Sequence, residues 1–368
     1  MAFDASGPSS PDHSNLPLSD QCSQAAFDAA KTTFRNRQGK WGEAEATLDH
    51  FYCQLVKTPS HRLAIASDGI GTKIEVAERC GVYRTLGYDL VAMIVDDIIC
   101  CGAEPTHISN ILDVDKLDRE IVNELFFGFK QACDEARIMI TGGETAELGS
   151  RVGGFGPRMH FNWCATGLGI LANEMPLIDG SAIQEGDAVL SLRSCGIRSN
   201  GYSLARAVLQ TAYGDHWHLE SFDEKMTWGN KLLTPSRIYA HHVSHVLALN
   251  MPIRGIAHIT GGGLAANFER ILQAWGKGAF LDTLQSPHSE MLRLQDLGGL
   301  SDREVYETWN MGNGMLLVLE PSSVEAVLAE LRERNVPAQK AGVITNKPQI
   351  ELVSKAKEAS RLLFSYQE

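Results

Sequence analysis

Three times along this chain a short apolar run breaks off into glycine beside a carboxylate or a hydroxyl. Residues 63–66 run into Ser67-Asp68-Gly69-Ile70-Gly71-Thr72-Lys73, 137–141 into Gly142-Gly143-Glu144-Thr145, and 253–260 into Gly261-Gly262-Gly263. Short apolar runs bounded by glycine read as buried strands. Glycine at the strand ends lets a ligand approach the backbone closely. The recurring unit therefore constrains the chain to sheets whose ends can carry chemistry. Further strand-like runs lie at 108–114, 159–171, 188–192, 315–319 and 341–344. Helical character is read at 24–37, 89–101, 118–136 with Asp118 as N-cap, 202–209, from Leu264 onward, and 323–335. Strands and helices mix in both halves without strict alternation, which predicts α+β architecture rather than a doubly wound sheet.

A length of 368 residues suits two domains. Pro176, Asp179, Gly180 and Gly186 mark a boundary near 172–185. The expected organisation is a disordered tail at 1–19, an N-terminal domain at 20–174 that binds ATP and metal and dimerises, and a C-terminal domain at 175–355. The hydrophobic fraction of 44% is enough for a sizeable core. Lys plus Arg total 33 against 45 Asp plus Glu, a net charge of −12, which disfavours nucleic acid as a partner. No apolar run has signal-peptide or membrane-spanning length, so the cytosol is the expected compartment. The eight cysteines form no CxxC pair and read as buried reduced thiols.

Each chemical stretch has a bland reading beside its functional one. Asp68, Gly69, Gly71, Thr72 and Lys73 could bring an acid to a divalent cation and a lysine to a phosphate, or form a tight turn with a surface lysine. Asp89 and Asp96 share one face of an apolar helix, and Asp97 adjoins Asp96. Charges in such a helix call for a partner; magnesium with ATP phosphates is one, an exposed helix edge another. Gly142, Gly143, Glu144 and Thr145 suit a metal–nucleotide site, or a helix start with acids near its positive end. His258 and Thr260 precede Gly261-Gly262-Gly263, a run that could open a helix toward an anion or simply flank a structural histidine. Arg198-Ser199-Asn200-Gly201-Tyr202 could cap a helix or offer donors to a substrate.

Taken together, SDGIGTK at 67–73, GYDLVAMIVDDI at 87–98, CGAEP at 101–105, GGETAE at 142–147, SNGYSL at 199–204, LLTPSRIY at 232–239, IAHITGGG at 256–263 and WNMGNGM at 309–315 resemble the aminoimidazole ribonucleotide synthetase (phosphoribosylformylglycinamidine cyclo-ligase) family, in the family's order. The resemblance implies a two-domain α+β fold, with an N-terminal sheet contributing to an inter-subunit barrel and a C-terminal α/β sandwich. It implies a homodimer, ATP and Mg2+, and a phosphorylated ribonucleotide as substrate. The formyl oxygen of formylglycinamidine ribonucleotide would be phosphorylated, and ring closure would expel phosphate. Carried over by residue, it implies ATP contacts at Asp68, Gly69, Gly71, Thr72, Lys73, Gly142, Gly143, Glu144 and Thr145. It places the metal at Asp68, Asp97 and Glu144, and substrate contacts at Ser199, Asn200, Gly201, Thr260 and Gly261. Catalytic roles fall to His258, Lys73 and Asp68. The chain departs from the family pattern in three places. Asp96 stands where the family usually has Asn, Arg198 stands where it usually has His, and residues 20–60 lack a Gly-Gly-Phe-Gly core. Two other readings stay open on the residues alone: another ATP-using member of the superfamily, and a non-catalytic relic of the fold.

Overall fold

The computed structural model describes residues 18–45 and 51–366, so most of the expected tail at 1–19 lies outside the described residues. The N-terminal part opens with α1 (Leu18–Thr33). It continues through β1 (Glu43–Ala44), β2 (Gln54–Lys57), β3 (His61–Gly69), α2 (Lys73–Cys80), α3 (Leu86–Ile99), β4 (Glu104–Val114), α4 (Arg119–Ala136), β5 (Met139–Glu147) and β6 (Phe161–Ala172). The C-terminal part comprises β7 (Ala188–Arg193), α5 (Tyr202–Tyr213), α6 (Trp228–Leu232), α7 (Ala240–Ala248), β8 (Ile253–His258), α8 (Gly263–Glu269), β9 (Gly278–Leu281), α9 (Ser289–Gly298), α10 (Asp302–Thr308), β10 (Asn313–Leu319), α11 (Val324–Glu333), β11 (Ala338–Thr345), β12 (Gln349–Val353) and β13 (Arg361–Ser365). The strands form two sheets, in the orders β1-β2-β3-β6-β4-β5 and β13-β12-β9-β11-β7-β10-β8. Both are mainly antiparallel with one parallel pair each, β4–β5 and β9–β12. This is the expected α+β architecture. The second sheet runs on to Ser365 through β13, beyond the residue 355 at which the sequence reading stops.

In the first sheet α3 packs on β3, β4 and β6, and α4 packs on α3. The opposite face carries Ile65 and Ile111, 37% and 48% exposed. Asp118 caps α4 as expected, its carboxylate accepting from the backbone N–H of Glu120 and Ile121. Strand β5 departs from expectation. It does not end at Thr141 but carries Gly142-Gly143-Glu144-Thr145 on as parallel pairing with β4. Gly143 permits this, since a Cβ there would come within 2.5 Å of Asn110 O. The glycine serves strand approach, where the sequence suggests a ligand loop.

Helix α3 is apolar almost all round, as befits a helix buried on every side. One side meets the first sheet, and the other meets α7 and β8 from the C-terminal half. This seam positions the site. Among the described residues, no helix is long and apolar enough to cross a membrane.

Helix α7 should also make the fold acid-sensitive. The rings of His241 and His242 lie 3.6 Å apart, centroid to centroid. Burial, then Arg137, holds His241 down to about 4; burial, then His241, holds His242 down to about 3. The unfolded chain takes up these protons near 6.5, and the folded chain refuses them until far lower. Their contribution is therefore present above pH 6.5 and lost as pH falls from 6.5 toward 4 and 3. The double variant His241→Asn/His242→Asn should lose less stability between pH 7 and pH 5 than the natural chain in urea denaturation. Equal losses in the two proteins would refute this account.

Candidate functional site

Three acids of α3 face the seam, and each is met from across it. Asp89 and Lys73 are both fully buried, with Nζ 2.7 Å from the carboxylate. Ser236 donates to the same carboxylate from its backbone N at 3.1 Å and its Oγ at 2.5 Å. Lys73 also donates to Arg198 O at 3.2 Å and Thr234 O at 2.8 Å. Asp96 is fully buried as well. It accepts from Arg198 Nη2 at 2.7 Å, Tyr239 N at 2.8 Å and Ala240 N at 2.9 Å. Arg198 Nη1 donates to Gly314 O at 3.2 Å, and the guanidinium lies over the Tyr239 ring. Burial pushes both acids up, and Lys73 and Arg198 oppose it.

These contacts correct two sequence readings. Lys73 is not a phosphate-facing cation; its ammonium is spent on Asp89 and two carbonyls inside the protein. Asp96 is not beside a metal, because a guanidinium and two backbone N–H groups already occupy its carboxylate. Asp89 and Asp96 do share a helix face, but what that face meets is Lys73 and Arg198.

Asp97 is different. Its carboxylate is half-buried, and Oδ1 lies 2.7 Å from His258 Nδ1. Burial pushes Asp97 well above the usual carboxylate range, and the charge of Asp68 pushes it further. Asp68 stands exposed at the C-terminal end of β3, where it accepts from the Gly69 N–H at 2.7 Å. Partial desolvation raises its carboxyl too. His258 closes β8 and is fully buried. Burial, then Arg198 and Arg270, pushes its imidazole well below the ordinary value. The neutral ring has Nδ1–H donating to Asp97, a tautomer assigned from the acceptor. Nε2 has no hydrogen-bond partner and lies 3.9 Å from Asp96 Oδ2.

The loops of the C-terminal half join the same place. A Cβ on Gly261 would lie 3.2 Å from Asn200 Oδ1. Asn200 in turn reaches Met93 Sδ on α3 at 3.8 Å. Thr72 Oγ1 and Ser203 Oγ are 3.4 Å apart. Asn267 on α8 holds the glycine run by donating to Gly261 O at 3.0 Å and Gly263 O at 2.7 Å, and it accepts from Thr260 Oγ1 at 3.0 Å. A Cβ on Gly263, at φ 73°, would strike Tyr306 O at 1.9 Å, so this turn requires glycine. Ser199 is buried with an unpartnered Oγ, while Gly201 accepts from Trp309 Nε1 at 3.1 Å.

Glu144 and Thr145 stand apart. Pairing rows run Asp68–Ala165–Asn110–Gly143 and Gly69–Cys164–Ile111–Glu144. Glu144 is thus three strands from Asp68, roughly 14 Å at the usual strand spacing. It is also one row further on, which turns its side chain to the opposite face of the sheet. Within one copy of the chain Glu144 therefore stands apart from Asp68 and Asp97. Among the described residues no three His, Cys, Asp or Glu groups gather closely enough to hold a metal by themselves. Sequence reasoning missed Arg270. It is exposed just after α8, and its charge acts on Asp97, His258 and Tyr52. No motif marks it; only its position after the glycine-opened helix could have drawn notice.

With this geometry in view, residues 49–169 match the AIR synthase related protein, N-terminal domain, and residues 184–355 match the C-terminal domain of the same family. The phosphoribosylformylglycinamidine cyclo-ligase of Carboxydothermus hydrogenoformans is 37% identical over 297 residues, 80% of this chain and 84% of that protein. The enzyme of that name from Thermococcus kodakarensis is 35% identical over 330 residues, 89% of this chain and 92% of its own. Among solved structures, AaThiL complexed with AMPPCP and TMP superposes with a TM-score of 0.62 at 15% identity, covering 95% of this chain and 98% of that one. Hydrogenase maturation protein HypE superposes with a TM-score of 0.58 at 20% identity, covering 83% and 89%. At such identities the structural likeness shows the fold alone.

Proposed function

Because this chain belongs to the AIR synthase related protein family, we propose that it is a phosphoribosylformylglycinamidine cyclo-ligase of purine biosynthesis, a ligase that spends ATP to close an imidazole ring. One observation carries the reading. Asp68 from a strand end, Asp97 from α3 and His258 from β8 meet at one seam, with Asn200 and Gly261 beside them. Phosphorylation of the formyl oxygen turns a poor leaving group into a good one; the neighbouring amine nitrogen then attacks that carbon, and phosphate departs. Such a reaction needs positioning and charge stabilisation more than covalent help.

Asp68, Gly69, Gly71 and Thr72 offer one approach to ATP, and Gly142, Gly143, Glu144 and Thr145 on exposed β5 offer another. Asp68 and Asp97 fit a magnesium ion. Mg2+ takes one or two carboxylates and completes its shell with phosphate oxygens and water. Two acids that disfavour each other's charge, one of them desolvated, are a suitable donor pair. When bound, the ion would neutralise phosphate charge. His258 is fully buried and holds Asp97 in orientation through Nδ1, while its Nε2 faces Asp96, so its part is positioning the acid rather than taking a proton from substrate. Ser199, Asn200, Gly201, Thr260 and Gly261 line the side on which the ribonucleotide would sit. Lys73 is given no contact with phosphate; it fixes the seam.

Two copies of the chain would pair through the uncovered face of the first sheet, where Ile65 and Ile111 are exposed. Ile111→Asp should convert dimer to monomer in analytical ultracentrifugation, and a natural chain that sediments as monomer would remove this part of the reading.

The activity itself is checked by phosphate release from ATP with magnesium and formylglycinamidine ribonucleotide. Release is expected only when the ribonucleotide is present. In its absence, ATP and magnesium at 100 times the dissociation constant should stabilise the fold by about 2.7 kcal/mol. A chain that binds ATP but never releases phosphate with this substrate acts on something else; a chain that binds no ATP is a relic.

A further inference from the structure

A cavity of about 540 Å³ opens away from the cleft, and none of the residues assigned to the reaction lines it. His61 lines it at one end of β3, while Asp68 sits at the other, roughly 23 Å along the strand. Its walls come from the starts of β4 and the ends of β6 and α4, the segment after β6, and α7. The seam between the halves therefore has a second concave site, on the flank of α7.

The chemistry of that wall is specific. Arg137 lines the cavity, and no ion pair is formed by it among the described residues. It caps α4 at φ 60°, in the left-handed region that favours glycine. Two polar atoms of α7 residues on the same wall, His241 Nδ1 and Ser244 Oγ, are buried without a hydrogen-bond partner. Buried polar atoms are nearly always paired, and these two, on residues that line one concavity, keep hydrogen-bonding capacity that a side-chain rotation would turn toward a ligand there. The imidazole of His241 is neutral at pH 7 and can donate or accept. Ile170, Met175 and Leu247 supply an apolar wall, and Glu104 at the rim accepts from hydroxyl or amine donors.

We propose that this cavity is a second ligand site, taking a phosphate monoester of nucleoside-monophosphate size. Arg137 and Ser244 meet the phosphate, Glu104 and His241 meet hydroxyl or amine groups, and the apolar wall meets a planar base. Arginine suits phosphate because its planar fork pairs two oxygens at once. The volume lies within the range of small-molecule sites.

The test is calorimetric titration of AMP into the full chain already saturated with AMP-PNP and magnesium, which blocks the cleft. Saturable binding of AMP should remain. Arg137→Gly removes the guanidinium and suits the left-handed backbone, so the fold is preserved. It should weaken AMP at least tenfold, as should Ser244→Ala, whereas Asp97→Asn in the cleft should leave AMP affinity unchanged. Absence of AMP binding under AMP-PNP saturation, or equal affinity in natural chain and Arg137→Gly, overturns the proposal. AMP binding lost in Asp97→Asn but kept in Arg137→Gly overturns it too, because the titration would then be reading the cleft.

Discussion

Asp96→Asn should destabilise the fold by about 3–5 kcal/mol, the usual cost of leaving one member of a buried ion pair without the other. Asparagine keeps an oxygen for the Tyr239 and Ala240 N–H groups, so the backbone contacts survive. What is lost is the charge opposite Arg198, which is 1% exposed and otherwise donates to Gly314 O and lies over the Tyr239 ring. Arg198→His should be costly for the mirrored reason, since Asp96 would remain buried and charged. The double variant Asp96→Asn/Arg198→His restores a neutral pair of the kind the family usually carries. It should recover at least half of the loss suffered by either single variant. Urea unfolding of the four proteins closes the cycle. If the double variant is as unstable as the sum of the singles, Asp96 and Arg198 are not acting as a pair.

Asp97→Asn should lower kcat by about 10²–10³-fold, the scale seen when one preorganised charge-stabilising group is removed, while leaving the protein at least as stable. The two effects have one cause. Asp97 is desolvated and repelled by Asp68, so its charge costs folding energy that neutral Asn does not. A functional acid is expected to show this trade of stability for activity; a structural acid is not. Phosphate-release kinetics and thermal unfolding on one preparation check it. Unchanged kcat would remove Asp97 from the reaction, and a fall in both quantities would make it a structural residue like Asp96.

The two acids are adjacent in sequence, and nothing local tells them apart. The helix face shared by Asp89 and Asp96 is legible because a spacing of seven closes two turns. Their partners are not. Arg198 is 102 positions from Asp96, and His258 is 161 from Asp97. Those pairings exist only once two sheets have closed on α3. Lys73 shows the same limit, because a lysine after Gly-Ile-Gly-Thr looks exposed until Asp89 and the carbonyls of Arg198 and Thr234 surround it. The cap at Asp118 was readable because a capping bond is made within three residues. Gly142-Gly143-Glu144-Thr145 misled because glycine normally ends a strand, whereas here it admits Asn110. The short strands β9 and β12 gave no period to read; their pairing with each other and with β11 and β13 defines them.

The burial of α3 bears on how the chain can be divided. Asp96 and Asp97 belong to the first half in sequence, yet their partners Arg198 and His258 belong to the second. A gene cut in the connecting segment would yield one fragment with orphaned carboxylates and another with an orphaned guanidinium, neither able to complete its interior. Expressed together, the fragments would have strong reason to reassociate along that helix, which makes this polypeptide a natural candidate for a split reporter.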